Sequence, residues 1–292
     1  MSRVLVLRLS ALGDVIHTIP AVLTLGDVKW VVEAPYRELV EIVAGVEAVP
    51  VRLKQWGRSP LASRAAMGDA IGAMRGAHTS IDFQGLVKSA MLGVIAGAKE
   101  RIGFDRYAIR EKPALLFTNR KVHVDTTKHV VEQNLQLAGG GGMRQANWDA
   151  FPEGAWANGV VILPGAGKPN KLWPAERWRE VARRTGAAIA WGPGEEELAR
   201  SIGDRVAPPT NLRQLAGLLR DARLVIGGDT GPLHLAAALG TKVVGLYGPT
   251  DPRRNGPYGQ LEHCIDEFSR TKSMHSISVE AVMNLVERVA AE

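Results

Sequence analysis

The sequence has little cysteine, few aromatic residues and no long apolar run. Cys264 is the single cysteine among 292 residues, so no disulfide can form within the chain, and we expect a reducing compartment. The most apolar stretch, residues 86–98, contains Lys88 and is too short to span a bilayer. The first residues reach Gly13 and Asp14 before any signal-peptide-like apolar run develops. These absences predict a cytoplasmic protein without a transmembrane helix.

The charge balance favours anionic partners. A net charge of +6 fits nucleic acid, anionic lipid or a phosphorylated small molecule, and charge alone does not choose among them. The basic residues are dispersed, and no zinc-finger or RNP-like pattern is present, so we expect no nucleic acid partner.

Short apolar runs alternate with longer helical patterns along the whole chain. Such alternation is typical of βαβ units around a buried parallel sheet, so the predicted fold class is α/β. The predicted strands are residues 4–9, 28–32, 79–82, 160–163, 187–191, 224–226 and 243–247. Residues 279–290 have apolar side chains at helical spacing and predict a C-terminal helix that packs on a core.

Two domains are expected, because single cores rarely exceed about 250 to 300 residues. The glycine-rich segment 139–159 breaks both periodicities near the middle of the chain. Each half on either side opens with a strand, a glycine-containing turn and a helix. We therefore predict two α/β domains, residues 1–150 and 151–292, that face a cleft.

The first candidate site follows the first strand, in the segment from Arg8 to Pro20. In doubly wound sheets, ligands bind at the carboxyl ends of the strands, which would direct Asp14 toward a bound anion or hydroxyl. The alternative is that Asp14 only caps the following helix.

The second candidate site is the loop of residues 164–174, which combines Gly165 and Gly167 with Lys168 and Lys171. Glycines allow close backbone approach and lysines supply charge for phosphate oxygens, although the loop fits neither established phosphate fingerprint. An ordinary solvated loop is the alternative.

The third candidate site is the segment 227–240, in which Asp229, Thr230 and Gly231 precede an alanine-rich helix. A helix N-terminus after glycines and a strand offers free amides and a favourable dipole to a diphosphate. His234 either contacts the ligand or is a buried helix residue.

Glu195 follows another predicted strand, where a carboxylate can accept hydrogen bonds from ribose hydroxyls. A solvated helix-start glutamate is equally consistent with the pattern. Basic residues of the first half, including Arg58, Lys88 and Arg120, form either a solvated face or a clamp for an acidic acceptor.

Taken together, these segments resemble the lipopolysaccharide heptosyltransferases of glycosyltransferase family 9, and among them the type I enzymes. The resemblance rests on LGDVIHTIP, IDFQGLVKSA, REKPALLFTNRKVHV, KLWPAERW, WGPGEEE and GDTGPLHLAAALG, which occur in the family's order through nearly the whole chain. Family members commonly carry hydroxyl side chains before Lys171, where this chain has Gly165, Ala166 and Gly167.

The resemblance implies a GT-B fold of two Rossmann-like domains and a C-terminal helix that often crosses back. It implies inverting, metal-independent transfer of heptose from ADP-L-glycero-D-manno-heptose to the Kdo inner core of lipopolysaccharide, without a cofactor. The N-terminal domain would bind a Kdo-lipid A type acceptor, and the C-terminal domain would bind the ADP-sugar. The enzyme would be cytoplasmic and peripherally associated with the inner membrane.

The resemblance also implies residue roles. Asp14 would be the general base and Lys171 would bind the leaving phosphate. Glu195 would bind the ribose, with Glu196 as a second choice. The 228–234 segment would complete the donor site with Asp229 on heptose hydroxyls, Thr230 and Gly231 on phosphate, and His234 in contact.

Arg58, Lys88 and Arg120 would meet the carboxylates and phosphates of the acceptor. Two rival functions stand beside this one. The first is a family member that acts on another core or surface-glycan acceptor, and the second is a nucleotide-sugar-binding protein without turnover.

Overall fold

A computed structural model of the chain describes residues 3–152 and 159–292. The chain divides into two compact units, Met1–Ala150 and Phe151–Glu292. The segment 139–159, where we predicted the domain boundary, includes residues 153–158, which lie outside the described residues. Each unit contains one sheet, and each is described separately below.

The first unit is a six-stranded parallel sheet with strand order β3-β2-β1-β4-β5-β6. Its elements are β1 (Val4–Leu7), α1 (Leu12–Ile16), α2 (Ile19–Val22), β2 (Val28–Glu33), α3 (Arg37–Ala44), β3 (Glu47–Val51), α4 (Leu53–Arg58), α5 (Arg64–Met74), β4 (Thr79–Asp82), α6 (Val87–Ile95), β5 (Glu100–Phe104), β6 (Arg120–Val122) and α7 (Val130–Ala138). This order is that of the Rossmann fold.

The second unit is a five-stranded parallel sheet with strand order β11-β10-β9-β7-β8. Its elements are β7 (Val160–Leu163), α8 (Ala175–Thr185), β8 (Ala188–Ile189), α9 (Glu196–Ile202), α10 (Leu212–Arg220), β9 (Leu224–Gly228), α11 (Gly231–Ala238), β10 (Val243–Tyr247), α12 (Pro252–Asn255), β11 (Cys264–Asp266) and α13 (Val279–Ala291). Counted within the unit, this is the flavodoxin-like order 2-1-3-4-5.

Each sheet has one point where the strand order reverses, and a crevice opens there at the carboxyl ends of the strands. In the first unit this point lies between β1 and β4, whose last residues Leu7 and Asp82 are register partners. In the second unit it lies between β7 and β9, where Leu163 pairs with Gly227. In each unit, the carboxyl ends of the strands are therefore where we expect a ligand to bind.

All seven predicted strands are present, which confirms the α/β prediction. The prediction missed β3, β5, β6 and β11. Their sequences EAVPV, ERIGF, RKV and CID contain charged residues or proline. Three of these strands are edge strands, where charge and proline are tolerated because one side lacks a neighbouring strand.

The predicted C-terminal helix is also confirmed as α13, which packs against α8 and β10 of its own unit. Val282, Val286 and Val289 enter the core beside Trp178. None of the helices in the two described ranges is long and apolar enough to cross a membrane.

A buried carboxylate shapes the turn from β4 to α6. Asp82 Oδ1 accepts hydrogen bonds from the backbone N–H groups of Gln84 at 2.9 Å and Gly85 at 3.1 Å. Gly85 has a φ of +67°, which favours glycine. Burial raises the pKa of Asp82 to about 6. The hydrogen bonds that its carboxylate accepts and the charge of Arg8 lower the pKa, but burial has the larger effect.

Asp82 predicts a pH dependence of stability. Between about pH 4 and 6, the folded chain keeps a proton that an unfolded Asp releases, so this group's contribution falls as pH rises. We expect the free energy of unfolding of wild type relative to Asp82→Asn to fall by on the order of 3 kcal/mol between pH 4 and 7.

Chemical denaturation at both pH values measures this difference. Asp69→Asn removes an exposed carboxylate on α5 and serves as the control for lost charge. A difference between wild type and Asp82→Asn that is equal at both pH values would contradict the assignment.

Candidate active site

A partly exposed carboxylate lies at the switch point of the first unit. Asp14 is in the first turn of α1, and its side chain is 25% exposed. Its Oδ1 lies 2.7 Å from Nη2 of Arg8, whose side chain is only 2% exposed. A buried guanidinium has few alternative positions, so Arg8 fixes the direction of the Asp14 carboxylate.

Two further contacts surround this pair. Arg8 Nη1 donates to the backbone oxygen of Phe83, which follows β4, and thereby ties β1 to its neighbour. Arg110 Nη1 lies 3.6 Å from Asp14 Oδ2. Burial lowers the pKa of Arg8, and the charge of Asp14 opposes that effect. Asp14 thus keeps one firmly held oxygen and one more loosely held oxygen.

The interpretation of Asp14 as a helix cap is wrong. The N-cap position of α1 is Ala11, and no side chain caps the helix. Asp14 is three residues further on, inside the helix, where its carboxylate bonds to Arg8 instead. The carboxylate at this position is therefore not explained by capping.

The candidate acceptor residues Arg58, Lys88 and Arg120 are all exposed and lie on three separate elements. Lys88 lies in the first turn of α6, which starts after β4 at the same end of the sheet as Asp14. Arg58 ends α4. Arg120 begins β6, and its Nη1 lies 2.8 Å from Glu100 Oε1 at the opposite end of the sheet. The structure does not group Arg120 with Asp14.

In the second unit, Asp229 is the centre of a polar cluster at the switch point. Its Oδ2 lies 2.5 Å from Lys171 Nζ, while Oδ1 lies 3.1 Å from His234 Nε2 and 3.2 Å from Asn255 Nδ2. Lys171 comes from the loop after β7, and Asp229 directly follows β9. The predicted residues Lys171, Asp229 and His234 therefore form one site.

This cluster is strongly polarised. Burial of Asp229 opposes ionisation, but hydrogen bonds and charge from His234 and Lys171 outweigh it and hold the pKa of Asp229 well below its usual range. The partners of Asp229 are nitrogen donors rather than further carboxylates. Across residues 3–152 and 159–292, no three His, Cys, Asp or Glu side chains are grouped so that they could hold a metal ion.

The N-terminus of α11 lies beside Asp229. Thr230 is the N-cap residue, but its side chain makes no capping bond, and its buried Oγ1 has no hydrogen-bond partner among the described residues. Gly231 is the first residue of the helix, and Pro232 is the second. Unsatisfied donors at a helix N-terminus are suited to an anion.

Glu195 follows β8 and therefore lies at the same end of the second sheet as Asp229. Its Oε2 accepts a hydrogen bond from the Gly192 amide at 2.8 Å. A Cβ added to Gly165 would lie 2.1 Å from this carboxylate, so the glycine loop leaves the space that Glu195 occupies. Glu196 instead pairs with Arg200 on the helix surface. Of the two glutamates, Glu195 is thus the one whose carboxylate lies against the glycine loop.

Sequence reasoning missed three residues of these sites. Arg8 belongs to the first candidate segment but received no role there. An arginine within an apolar, buried strand pattern is itself a signal, because a buried arginine needs a charged partner. Arg110 comes from the loop after β5, and Asn255 is the last residue of α12, which follows β10. Both residues lie in segments that follow a strand, and this was the available signal. It places them near the site only once the order of the strands in each sheet is known.

The chain is similar to known proteins in sequence and in structure. The model of glycosyltransferase family 9 (heptosyltransferase) matches residues 70–140 and 142–283. Lipopolysaccharide heptosyltransferase 1 of Escherichia coli K12 is 33% identical over 293 residues, which cover 88% of this chain and 91% of the relative. The Pseudomonas aeruginosa PAO1 protein of the same name is 32% identical, with 91% of this chain and 84% of the relative covered.

Solved structures agree with these sequence matches. E. coli heptosyltransferase WaaC with ADP has a TM-score of 0.84 and 30% identity, with 98% of this chain and 99% of that chain covered. E. coli ADP-heptose lps heptosyltransferase II, at 19% identity and a TM-score of 0.76, shares the fold. The predicted GT-B type fold and the family resemblance are confirmed. The chain belongs to glycosyltransferase family 9, the heptosyltransferase family.

Proposed function

We propose that this enzyme transfers a heptose from ADP-heptose to the inner core of lipopolysaccharide. The names of the relatives support the acceptor, and the WaaC structures with ADP and with ADP-2-deoxy-2-fluoro heptose support the donor. The observation that carries the proposal is the Asp14 carboxylate, which a buried arginine holds at the switch point of the first unit. The first unit binds the acceptor, and the second binds the donor.

Asp14 acts as the general base. The acceptor hydroxyl gives its proton to Asp14 as its oxygen attacks the anomeric carbon and the bond to the diphosphate breaks. Arg8 holds Oδ1, and the partly exposed side chain leaves Oδ2, 3.6 Å from Arg110 Nη1, as the oxygen that meets the hydroxyl. A single displacement of this kind inverts the configuration at the anomeric carbon.

The second unit binds the leaving ADP. The Lys171 ammonium and the amides at the start of α11 supply positive charge to the diphosphate, and the Thr230 hydroxyl supplies a further hydrogen bond. Asp229 positions Lys171 and contacts the heptose hydroxyls, with His234 beside it. Glu195 accepts hydrogen bonds from the ribose hydroxyls.

The reaction uses no metal ion and no cofactor, because Lys171 and the helix N-terminus perform the charge stabilisation that a divalent cation would otherwise provide. A chelator added to the transfer assay is expected to leave the rate unchanged.

The acceptor is a Kdo-lipid A type molecule, so the enzyme works at the cytoplasmic face of the inner membrane as a peripheral protein.

Asp14→Asn keeps the shape of the side chain and removes the base. We expect kcat for transfer from ADP-heptose to Kdo-lipid A to fall by about 10²- to 10⁴-fold, while the Kd for ADP stays the same. Asp69→Asn, an exposed carboxylate on α5, should transfer at the wild-type rate. Transfer by Asp14→Asn within a few-fold of wild type would rule out the proposed base.

Lys171→Met tests the phosphate site, with Lys168→Met as its matched control on the same loop. Lys171 contacts Asp229, whereas Lys168 is exposed. Loss of a charged hydrogen bond should raise the Kd for ADP by roughly tenfold to hundredfold, and the control should change it little. Calorimetry measures both values. Equal effects of the two substitutions would show that Lys171 has no specific contact with the nucleotide.

A further inference from the structure

The outward face of α6 is apolar, which is unusual for a surface helix. Its inner residues, such as Ser89 and Leu92, are buried. Met91, Val94 and Ile95 on the outer face are 40%, 46% and 41% exposed. A surface helix normally places polar residues outward, so these side chains leave a contiguous apolar stripe in water.

The orientation of α6 is fixed by close packing. A Cβ added to Gly93 would lie 2.6 Å from Ser80 Oγ on β4 and 3.5 Å from Leu7 Cδ1 on β1. The helix backbone therefore rests directly on the sheet at this position. Rotation of α6 to bury Met91 or Ile95 would break this contact, so the exposed stripe is a built feature of the unit.

A segment that packs against α6 carries a further exposed apolar side chain. The 3₁₀ turn Lys112–Leu116 packs against α6, and its last residue, Leu116, is 82% exposed. Lys88 on α6 and Lys112 on the turn are both exposed. We call this surface the α6 face. Its members are Lys88, Met91, Val94, Ile95, Lys112 and Leu116.

The α6 face begins at the end of the sheet where Asp14 lies. The backbone N–H of Glu111 donates to Gly85 O at 3.0 Å, and Glu111 Oε2 accepts from the Val87 amide at 2.7 Å. These bonds fasten the segment before the 3₁₀ turn to the start of α6. The preceding residue, Arg110, reaches Asp14.

We infer that the α6 face docks this enzyme on an anionic phospholipid bilayer. Apolar side chains can enter the acyl boundary, while the two lysines remain at the level of negative headgroups. A second copy of the chain is a poorer occupant, because a two-fold contact through this face would bring lysines of the two copies together. The proposed function depends on a lipid-anchored acceptor, and this inference names the surface that would reach it.

Vesicle co-sedimentation tests the inference without any acceptor. The wild-type chain should bind vesicles of phosphatidylcholine with phosphatidylglycerol, bind pure phosphatidylcholine more weakly, and dissociate as NaCl is raised. Met91→Ser/Ile95→Ser should bind the anionic vesicles at least about tenfold more weakly, because two apolar side chains no longer enter the bilayer.

The matched control is Leu61→Ser/Met143→Ser, which removes two apolar side chains of the same unit that are 88% and 62% exposed. It should bind vesicles like wild type. Val94→Ser is a second, milder variant on the α6 face and should also weaken binding. Circular dichroism checks that each variant is folded.

Several outcomes would overturn the inference. The inference is wrong if wild type does not bind anionic vesicles, or if both α6 variants bind them as tightly as wild type. A concentration-dependent dimer in ultracentrifugation that Met91→Ser/Ile95→Ser abolishes would assign the face to a second copy. Transfer to a deacylated, water-soluble acceptor should be unchanged in that variant, so failure of the proposed function and failure of this inference are distinguishable.

Discussion

The ion pair between Arg8 and Asp14 is the interaction on which the first unit's site depends. Arg8 is almost completely buried, and a buried charge that loses its partner costs about 3–5 kcal/mol. The fold therefore requires a carboxylate at position 14 for its own stability. The proposed chemistry requires a carboxylate at the same place, open enough to meet a hydroxyl. One residue meets both requirements because only one of its oxygens is firmly held.

The second unit uses the same physical arrangement with the charges reversed. There the carboxylate of Asp229 is buried, and the cation Lys171 is the more exposed partner at 21%. The buried ion again fixes the direction of the exposed one, which is the group that would meet the ligand. In the second unit the pair joins the loops after β7 and β9, across the point where strand order reverses. In the first unit Arg8 and Asp14 both follow β1, and Arg8 reaches across that point to the backbone oxygen of Phe83.

Much of this organisation could be predicted from the sequence. Buried strands are continuous apolar runs, so β1, β2, β4 and β7 to β10 were visible. Asp14, Lys171, Glu195 and Asp229 each lie in a segment that follows one of them. The edge strands β3, β6 and β11 and the charged β5 lack that signal. Partners such as Asn255 and Arg110 depend on strand order, which a local pattern does not contain. The space between Gly165 and Glu195 depends on the approach of two loops in three dimensions.

In the proposed mechanism, Asp14 removes a proton while the acceptor oxygen displaces ADP in one step. The most direct measurement is the anomeric configuration of the transferred heptose, determined by NMR of the product made from ADP-heptose of defined configuration. A single displacement gives a product with the opposite configuration at the anomeric carbon. A product with the configuration of the donor would require two displacements and would contradict the proposed mechanism.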